Sequence, residues 1–478
     1  MPRITHHYDL VVVGRSLAGL AAAALVARRG KRVLVLPGGP VEGCVPVGPM
    51  EVSLDVAPAV WIDSPPVRTV LRELGLTPQI GRSVRRARGV FQWVDGTART
   101  TWTDDAPPPF APADPQATAD PDTPPPWEAL AEAAAAERTD PFAGRRAAER
   151  LARLARSQAA TGDEATDSYV AAAAPFVTDV APDHLPPAVR SGVAAGLLPA
   201  PLDLDGGLAR LRRDLLKMLD LHGGEVRPDL RVEAFSLRRG RIDGVALSGR
   251  ADRLGTEHLA VADEDLAREG IAELPIVAGD RVLPWARRFT LRIDVAPTGV
   301  GPGPGDFLVL RAPLFGAPGR TGGAIVRIER PAGAPVRVEV GVLVAPGTPR
   351  GTLREAILDW LDAEAVLPFV HDHVVACASA HDGRPPTGGD GRPLDDLAAA
   401  TLGRPAPMDP VLEPAAALAG GVALVPTRTA IRNLHLCCAL SHPALGLAGA
   451  FATALRVAGT IAPPARSPLA RRPLLRRP

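Results

Sequence analysis

Residues 8–40 read YDLVVVGRSLAGLAAAALVARRGKRVLVLPGGP, and this stretch decides the fold. Residues 10–13 are an unbroken apolar run, the pattern of a parallel strand buried on both faces. Residues 17–29 are rich in Ala and Leu, which favour helix, and Gly30 follows as a helix stop. Residues 33–36 are a second apolar run. The spacing predicts a strand, a helix and a second parallel strand.

The turn between the first strand and the helix places Gly14, Ser16 and Gly19 at the positions of a G-x-G-x-x-G fingerprint. In that fingerprint the glycines permit a tight turn, close approach of a diphosphate, and packing of helix on strand. A small-residue contact between helix and strand is the alternative interpretation, but the setting between strand and helix favours dinucleotide binding. The helix start also offers free N–H groups to an anion. The predicted diphosphate-binding residues are Gly14, Arg15, Ser16, Leu17, Ala18 and Gly19.

Composition excludes several classes of protein. The chain has 478 residues, enough for two or three structural units, and its net charge of +1 gives no general attraction to nucleic acid. Four cysteines without a C-x-x-C pair argue against a zinc ribbon or a disulfide scaffold. The most apolar stretch, 10–27, is interrupted by Gly and Arg and is too broken for a membrane span. We expect a soluble cytoplasmic protein without a signal peptide.

Three further segments extend the pattern. They are VEGCVPVGPMEVSLDVAPAVWIDSPPVRTVLRELGL at 41–76, LDLDGGLARLRRDLLKMLDLHGGEVRPDLRVEAFSLRRGRIDGVAL at 202–247 with EHLAVADEDLAREG at 257–270, and TRTAIRNLHLCCALSHPALGLAGAFATALRVAGTIA at 427–462. Together with residues 8–40 they resemble, in order and rough spacing, the phytoene desaturase-like branch of the FAD-dependent amine oxidase superfamily. The matching segments cover less than half of the chain.

The resemblance implies an α/β fold with a discontinuous Rossmann-like FAD-binding domain and a substrate domain of antiparallel sheet and helices. Strands near 226–235 and 434–437 would join the sheet that contains 10–13 and 33–36. The antiparallel strands would lie within 286–346 and form one wall of an apolar tunnel over the flavin. The predicted segments are FAD-binding parts at 1–103, 200–275 and 420–462, substrate-domain parts at 104–199 and 276–419, and a disordered basic tail at 463–478.

The resemblance also implies further FAD contacts at Gly43, Val232, Cys438 and Ala439, and the activity it implies is hydride transfer from an apolar, lipid-like substrate to FAD. The sequence departs from the family pattern at three places. Pro37 stands where an acid would accept hydrogen bonds from ribose, Glu42 replaces the first glycine of a pair, and Cys438-Ala439 replaces Gly-Asp.

Each lost charge-assisted hydrogen bond removes roughly 1.5–3 kcal/mol. The sequence therefore predicts weak or lost FAD binding. Two functions stay open: an FAD-dependent oxidoreductase, and a non-catalytic relative that binds a lipid-like ligand or a protein partner.

Other chemistry-bearing residues give few candidates. His442, in the SHP segment near the expected flavin, is the candidate catalytic residue, with a simple helix-entry role as the alternative. His371 and His373 form an H-x-H pair, but no further ligand spacing supports a metal site, and none is predicted. Residues 104–126 carry nine prolines and are predicted to be an exposed loop. The Leu- and Arg-containing tail could contact an anionic membrane surface.

Overall fold

A computed structural model describes most of the chain. The described residues are 4–38, 43–48, 50–56, 58–106, 108, 126–136, 164–198, 201–249, 253–270, 282–301, 303–394, 405–415, 418 and 422–464. Glu42, nearly all of the predicted loop at 104–126 and the tail from residue 465 onward lie outside these residues, so the predictions made for them stay predictions.

The described residues form two large sheets, two small two-stranded sheets and the helices that cover them. The strands are β1 Ile4–Gly14, β2 Val33–Leu36, β3 Cys44–Val47, β4 Met50–Ser53, β5 Val84–Arg86, β6 Val90–Asp95, β7 Ala98–Thr103, β8 Leu202–Leu204, β9 Glu225–Val226, β10 Val232–Arg238, β11 Arg241–Leu247, β12 Arg253–Ala262, β13 Val282–Val295, β14 Phe307–Pro313, β15 Thr321–Glu329, β16 Val336–Val344, β17 Val374–Ala378, β18 Pro410–Pro414 and β19 Leu434–Leu436. The α-helices are α1 Leu17–Arg28, α2 Pro65–Leu74, α3 Thr77–Ser83, α4 Pro126–Ala136, α5 Glu164–Val177, α6 Pro187–Leu197, α7 Gly207–Leu221, α8 Glu264–Glu269, α9 Leu353–Ala363, α10 Val370–His373 and α11 Gly446–Ile461.

The first large sheet confirms the prediction made from residues 8–40. Its order is β10-β11-β12-β1-β2-β9, and β19 pairs with β12 beyond the end of β11. Strand β1 runs parallel to both β2 and β12, and β19 runs parallel to β12. Segments far apart in sequence therefore meet in one sheet, as predicted for 226–235 and 434–437. Helix α1 is buried from Leu17 to Ala27 and packs against α11.

The second large sheet has the order β17-β13-β16-β15-β14-β6-β7, with β18 also paired to β13. Its strands are antiparallel except for the β14–β6 pair, which confirms the antiparallel pattern predicted at 286–346. Helix α5 packs directly on β14 and β15. The contact is so close that a Cβ on Gly323 would lie 2.0 Å from the carbonyl oxygen of Ala172.

The β6–β7 hairpin belongs to the second sheet, although the sequence analysis placed residues up to 103 in the first domain. Trp93 and Trp102 of this hairpin are buried beside Tyr169 of α5, with ring centroids 5.6 and 6.1 Å from that of Tyr169. The apolar side chains of the hairpin thus complete the core of the second sheet. The predicted boundary at residue 103 does not coincide with the division between the sheets.

One described helical span, Pro443–Ile461, is long and apolar enough to cross a membrane by length and composition alone. The protein buries 72% of this span, and its buried side chains pack against α1 and α2. The span therefore packs as a core helix.

Candidate functional site

The turn before α1 is held against the end of β12. Gly14 has a φ of 114°, a conformation that L side chains rarely adopt. A Cβ at this position would lie 2.3 Å from the carbonyl oxygen of Ala262, so only glycine fits. A Cβ on Gly19 would lie 2.2 Å from the Cβ of Ala262. The first and last glycines of the fingerprint therefore serve the turn and the packing of helix on strand.

Ser16, at the second glycine position, is bonded within the protein. Its hydroxyl accepts the Gly19 N–H at 3.1 Å, which caps α1, and donates to the carbonyl oxygen of Cys437 at 2.8 Å. Its own backbone N–H donates to the Ala262 carbonyl at 2.9 Å. Ser16 thus ties the start of α1 to the ends of β12 and β19.

A cleft of about 1030 Å³, part of it open to solvent, lies at the start of α1 and reaches toward the second sheet. One wall is apolar and includes Leu17, Val60, Phe176 and Leu447. The charged lining consists of six carboxylates and three guanidinium groups: Asp55, Asp179, Asp263, Glu264, Asp265, Asp409, Arg15, Arg212 and Arg288. The lining thus has more carboxyl groups than guanidinium groups. They lie at the start of α1, which would otherwise attract an anion.

Glu264 is the carboxylate that faces the C-terminal segment. Its carboxylate accepts the backbone N–H of Ala439 at 2.8 Å. Burial, together with the charges of Asp263 and Asp409, raises the pKa of Glu264 to about 8. The neighbouring Asp263 caps α8 by accepting the Leu266 N–H at 2.8 Å. A side chain of the protein therefore satisfies an amide that lines the cleft.

The three arginines of the cleft are already engaged. Arg15 donates to the Pro407 carbonyl at 3.0 Å and lies 3.6 Å from the Asp409 carboxylate. Arg212 donates to the Arg15 carbonyl at 2.5 Å. Burial alone would raise the pKa of Asp409, but the charges of Arg15, Arg212 and, more weakly, Arg288 lower it. The carboxylates of the chain thus balance the positive charges of the cleft.

Arg288 joins the second sheet to the end of α5. Its guanidinium lies 2.8 Å from the Asp179 carboxylate and donates to the carbonyl oxygens of Pro175, at 2.7 Å, and Thr178. Burial raises the pKa of Asp179, and the ion pair with Arg288 opposes that shift. This floor of the cleft is therefore a cross-link between β13 and the end of α5, both on the side of the second sheet.

The predicted cofactor residues divide into two groups. Five of them line the cleft: Arg15, Ser16, Leu17, Ala18 and Ala439. The other five are not among its lining residues: Gly14, Gly19, Gly43, Val232 and Cys438. Gly43, with a φ of 82°, packs against α7, where a Cβ would lie 2.9 Å from the Cα of Ala209. Val232 pairs with Leu247 in the first sheet, and Cys438 is fully buried in an apolar core.

His442, the candidate catalytic residue, lies in the core and does not line the cleft. Its Nδ1 is 2.8 Å from the Thr453 hydroxyl, and its Nε2 is 3.1 Å from a guanidinium nitrogen of Arg456. Because that guanidinium can only donate, Nε2 accepts and the Nδ1–H faces Thr453. Burial and the Arg456 charge lower the pKa of His442 to about 3. The structure supports the helix-entry role.

The remaining candidates have structural partners. His371 and His373 lie in the short helix α10, and His371 lies 2.9 Å from the Asp359 carboxylate. Among the described residues, no three His, Cys, Asp or Glu side chains are grouped as a metal site would require. Cys437 and Cys438 are free, buried thiols. None of these residues lines the cleft.

The sequence analysis missed the residues that set the charge of the cleft, namely Asp263, Glu264 and Asp409 on the acidic side and Arg212 and Arg288 on the basic side. A signal was available for two of them. Asp263 and Glu264 follow directly after a buried strand that runs parallel to β1, and the carboxyl ends of parallel strands are where such folds bind ligands.

Comparison with known proteins identifies the fold. No protein-family model matches the chain, and no curated protein matches it. Solved structures do match, and among them are an oxidoreductase from Methanosarcina mazei (14% identity, TM-score 0.53, 95% of this chain and 99% of that chain covered), cyclohexylamine oxidase from Brevibacterium oxydans IH-35A (16%, 0.51, 95% and 98%), and a putrescine oxidase double mutant with redesigned cofactor binding (13%, 0.53, 95% and 99%). The chain has the fold of FAD-dependent oxidoreductases of the amine oxidase type.

The residues of this cleft do not fit tightly held FAD. Pro37 ends β2 without a side-chain acceptor for ribose. At the other end, the Glu264 carboxylate occupies the Ala439 amide, in the region that the resemblance assigns to the ribityl and diphosphate groups. Asp263 and Asp409 add carboxylates to the same cleft. The fold is that of a flavoprotein, but the charged lining opposes a diphosphate.

Proposed function

We propose that this protein is a relative of the FAD-dependent oxidoreductases that no longer holds FAD as a resident cofactor and acts as a binding protein. The observation that carries the proposal is the hydrogen bond from the Ala439 N–H to the Glu264 carboxylate. In this proposal the Glu264 carboxyl group, which its raised pKa keeps largely protonated at neutral pH, occupies the amide that an anionic ligand would need.

Electrostatics supports this proposal. Two unit charges 4 Å apart interact by about 4 kcal/mol at the effective dielectric of a protein surface. A diphosphate at the start of α1 would meet Asp409, whose pKa is lowered and which is therefore ionised at neutral pH. It would also have to displace Glu264 from Ala439. These costs offset the attraction of the helix start, which is worth about 0.3–1 kcal/mol for a single charge.

The lining indicates the class of ligand. Apolar side chains that include Val60, Phe176 and Leu447 line the same cleft as the carboxyl groups. This combination suits an apolar molecule that is uncharged or carries a positive group. Two of the structural neighbours are named as oxidases of amines, cyclohexylamine and putrescine, which makes an apolar amine a reasonable first probe. A protein partner for the same cleft is the alternative within this proposal.

A second candidate function is FAD-dependent oxidation of an apolar substrate with loosely held FAD. It is favoured by the start of α1, where Gly14, Gly19 and the Ser16 cap preserve the backbone turn of a dinucleotide site. Both candidates share the fold and differ in whether FAD binds at working concentrations.

The test measures the melting temperature of the purified protein with FAD, with an alkylamine such as octylamine, and with neither. A ligand present at a hundred times its Kd stabilises the folded state by about 2.7 kcal/mol. We expect stabilisation by the amine and no stabilisation by FAD. Stabilisation by FAD, with hydrogen peroxide formed when an amine is added, would establish the second candidate instead. No effect of either probe would leave the cleft to a protein partner and overturn the proposed ligand class.

A further inference from the structure

A hairpin on the edge of the first sheet ends in an unusual turn. Strands β10 and β11 are joined by Arg239 and Gly240, whose φ angles are 53° and 73°. Two-residue hairpin turns with positive φ at both positions strongly favour Asn-Gly or Asp-Gly. A long cationic side chain in the left-handed region is an outlier, and such strain clusters at functional positions. The turn holds Arg239 at the outermost point of the hairpin.

The turn carries an exposed leucine between cations. Leu237 is 51% exposed, one of the few large apolar side chains at the surface of the described residues. Arg238 and Arg241, which form the next pair along the hairpin, and Arg239 in the turn are exposed as well. An apolar side chain flanked by arginines is the composition of segments that insert at the boundary between lipid headgroups and acyl chains.

A second segment adds two more arginines to the same surface. Arg432 donates its backbone N–H to the Gly240 carbonyl at 3.3 Å, and its side chain, like that of Arg428, is exposed. Asn433 fixes the two segments together. It accepts the Ile242 N–H at 2.9 Å and donates to the Ile242 carbonyl at 2.7 Å. The cations are therefore supported by a sheet rather than by a loose loop.

We call this surface the arginine tip, and it consists of Leu237, Arg238, Arg239, Arg241, Arg428 and Arg432. None of its arginines forms a salt bridge with a carboxylate in the described part of the chain. The net charge of the chain is only +1, so a general excess of basic residues does not account for this cluster. Their concentration on one edge, around an exposed leucine, requires a local explanation.

We propose that the arginine tip docks the protein on an anionic lipid membrane. Guanidinium groups bind phosphate in bidentate fashion, and the leucine supplies the apolar contact that a purely ionic surface lacks. The tip has no Trp or Tyr on which nucleic acid bases could stack. Each basic residue near an anionic leaflet strengthens binding by roughly fivefold. This proposal does not rest on the function assigned to the cleft.

The test is sedimentation with vesicles of phosphatidylcholine alone and of phosphatidylcholine mixed with phosphatidylserine. We expect binding to the anionic vesicles only, weakened by salt. Replacing Arg238, Arg239 and Arg241 by Ala should weaken binding on the order of a hundredfold. A Leu237→Asn variant keeps the charge and should weaken it by roughly three- to tenfold.

The matched control replaces Arg82, Arg85 and Arg86 by Ala. These arginines are equally exposed and lie on α3 and β5, without an exposed leucine among them. We expect this variant to bind within about twofold of the wild type. Equal losses in both triple variants would reduce the effect to diffuse charge and overturn the docking surface. Binding to polyglutamate but not to vesicles would overturn it in favour of an acidic protein partner.

Discussion

The two walls of the cleft differ in what determines their residues. The wall at the start of α1 keeps the backbone of a dinucleotide site, because Gly14 and Gly19 pack on Ala262 and Ser16 caps the helix. The second wall is the charged lining, where Glu264 accepts the Ala439 amide and the charges of three arginines lower the pKa of Asp409. The first wall is required by the fold itself, whereas the second depends only on side chains.

This difference separates the residues that the fold requires from the residues that affect which ligand binds. The glycines of the turn would be needed even if no dinucleotide were bound, because Gly14 has no room for a Cβ beside the Ala262 carbonyl. Their presence is therefore evidence for the sheet and weaker evidence for FAD. The carboxyl groups of the second wall are not required by the fold, and the proposed class of ligand depends on them. Four predictions test this comparison, and their expected effects run from the largest to the smallest.

The largest effect should come from the scaffold wall. We predict that Gly14→Ala lowers the free energy of unfolding by about 4 kcal/mol, because the new Cβ meets backbone atoms at an unfavourable φ. Gly30→Ala is the matched control, since Gly30 also has a positive φ but no atom within 4 Å of a Cβ. It should cost about 1 kcal/mol. Urea unfolding of both variants measures this, and equal costs would show that the turn tolerates a side chain.

The floor of the cleft should give the next effect. Arg288→Ala leaves Asp179 buried beside Asp409 without its cation, and we predict a loss of about 3 kcal/mol. Asp179→Asn added to this variant should recover part of the loss, because it removes the unpaired charge. A double-mutant cycle by urea unfolding measures the coupling. Additive losses would show that Arg288 and Asp179 are not energetically coupled.

A smaller effect should appear as a pH dependence at His442. Its pKa is lowered to about 3 in the folded state, so the unfolded state binds the proton as pH falls below the ordinary value near 6.5. Because of His442, the free energy of unfolding of the wild type therefore falls by about 2 kcal/mol in total between pH 7 and pH 5. A His442→Gln variant lacks this loss. The difference in free energy of unfolding between wild type and variant should therefore shrink by about 2 kcal/mol as pH falls from 7 to 5. The exposed His371→Gln variant is the control, and an equal change in both would contradict the assignment.

The sequence predicted the parts of the molecule that local pattern determines. The strands at 10–13 and 33–36 and the helix at 17–29 follow from local composition and apolar pattern, and the structure has all three. The placement of β19 beside β12 came from the family resemblance, because nothing local to 434–436 specifies a partner in the sheet. The β6–β7 hairpin lies within the segment assigned to the first FAD-binding part but pairs with the second sheet, through β14, which lies more than 200 residues further along the chain.

The chemistry of the cleft was less predictable for the same physical reason. Glu264 and Ala439 are 175 residues apart, and their hydrogen bond exists only after β12 and β19 pair. The absence of a side-chain acceptor at Pro37 was visible in sequence, but the hydrogen bond between Ala439 and Glu264 was not. His442 was expected near the reaction centre, whereas folding turns its ring toward Thr453.

The FAD affinity of the wild type and of variants at residue 264 tests the central claim most directly. We predict that the wild type purifies without flavin absorbance and that its Kd for FAD is weaker than about 1 μM. Its affinity should fall further as pH rises through about 8, because ionised Glu264 adds negative charge to the cleft. Glu264→Gln should remove this pH dependence, and Glu264→Ala together with Pro37→Glu should tighten binding by at least about tenfold. Glu413→Gln, which removes an exposed carboxylate outside the cleft, should change nothing. A wild-type protein that stays stoichiometrically yellow through dialysis, or a Glu264→Ala, Pro37→Glu variant with unchanged affinity, would contradict the claim that Glu264 occupies the amide that the cofactor would need.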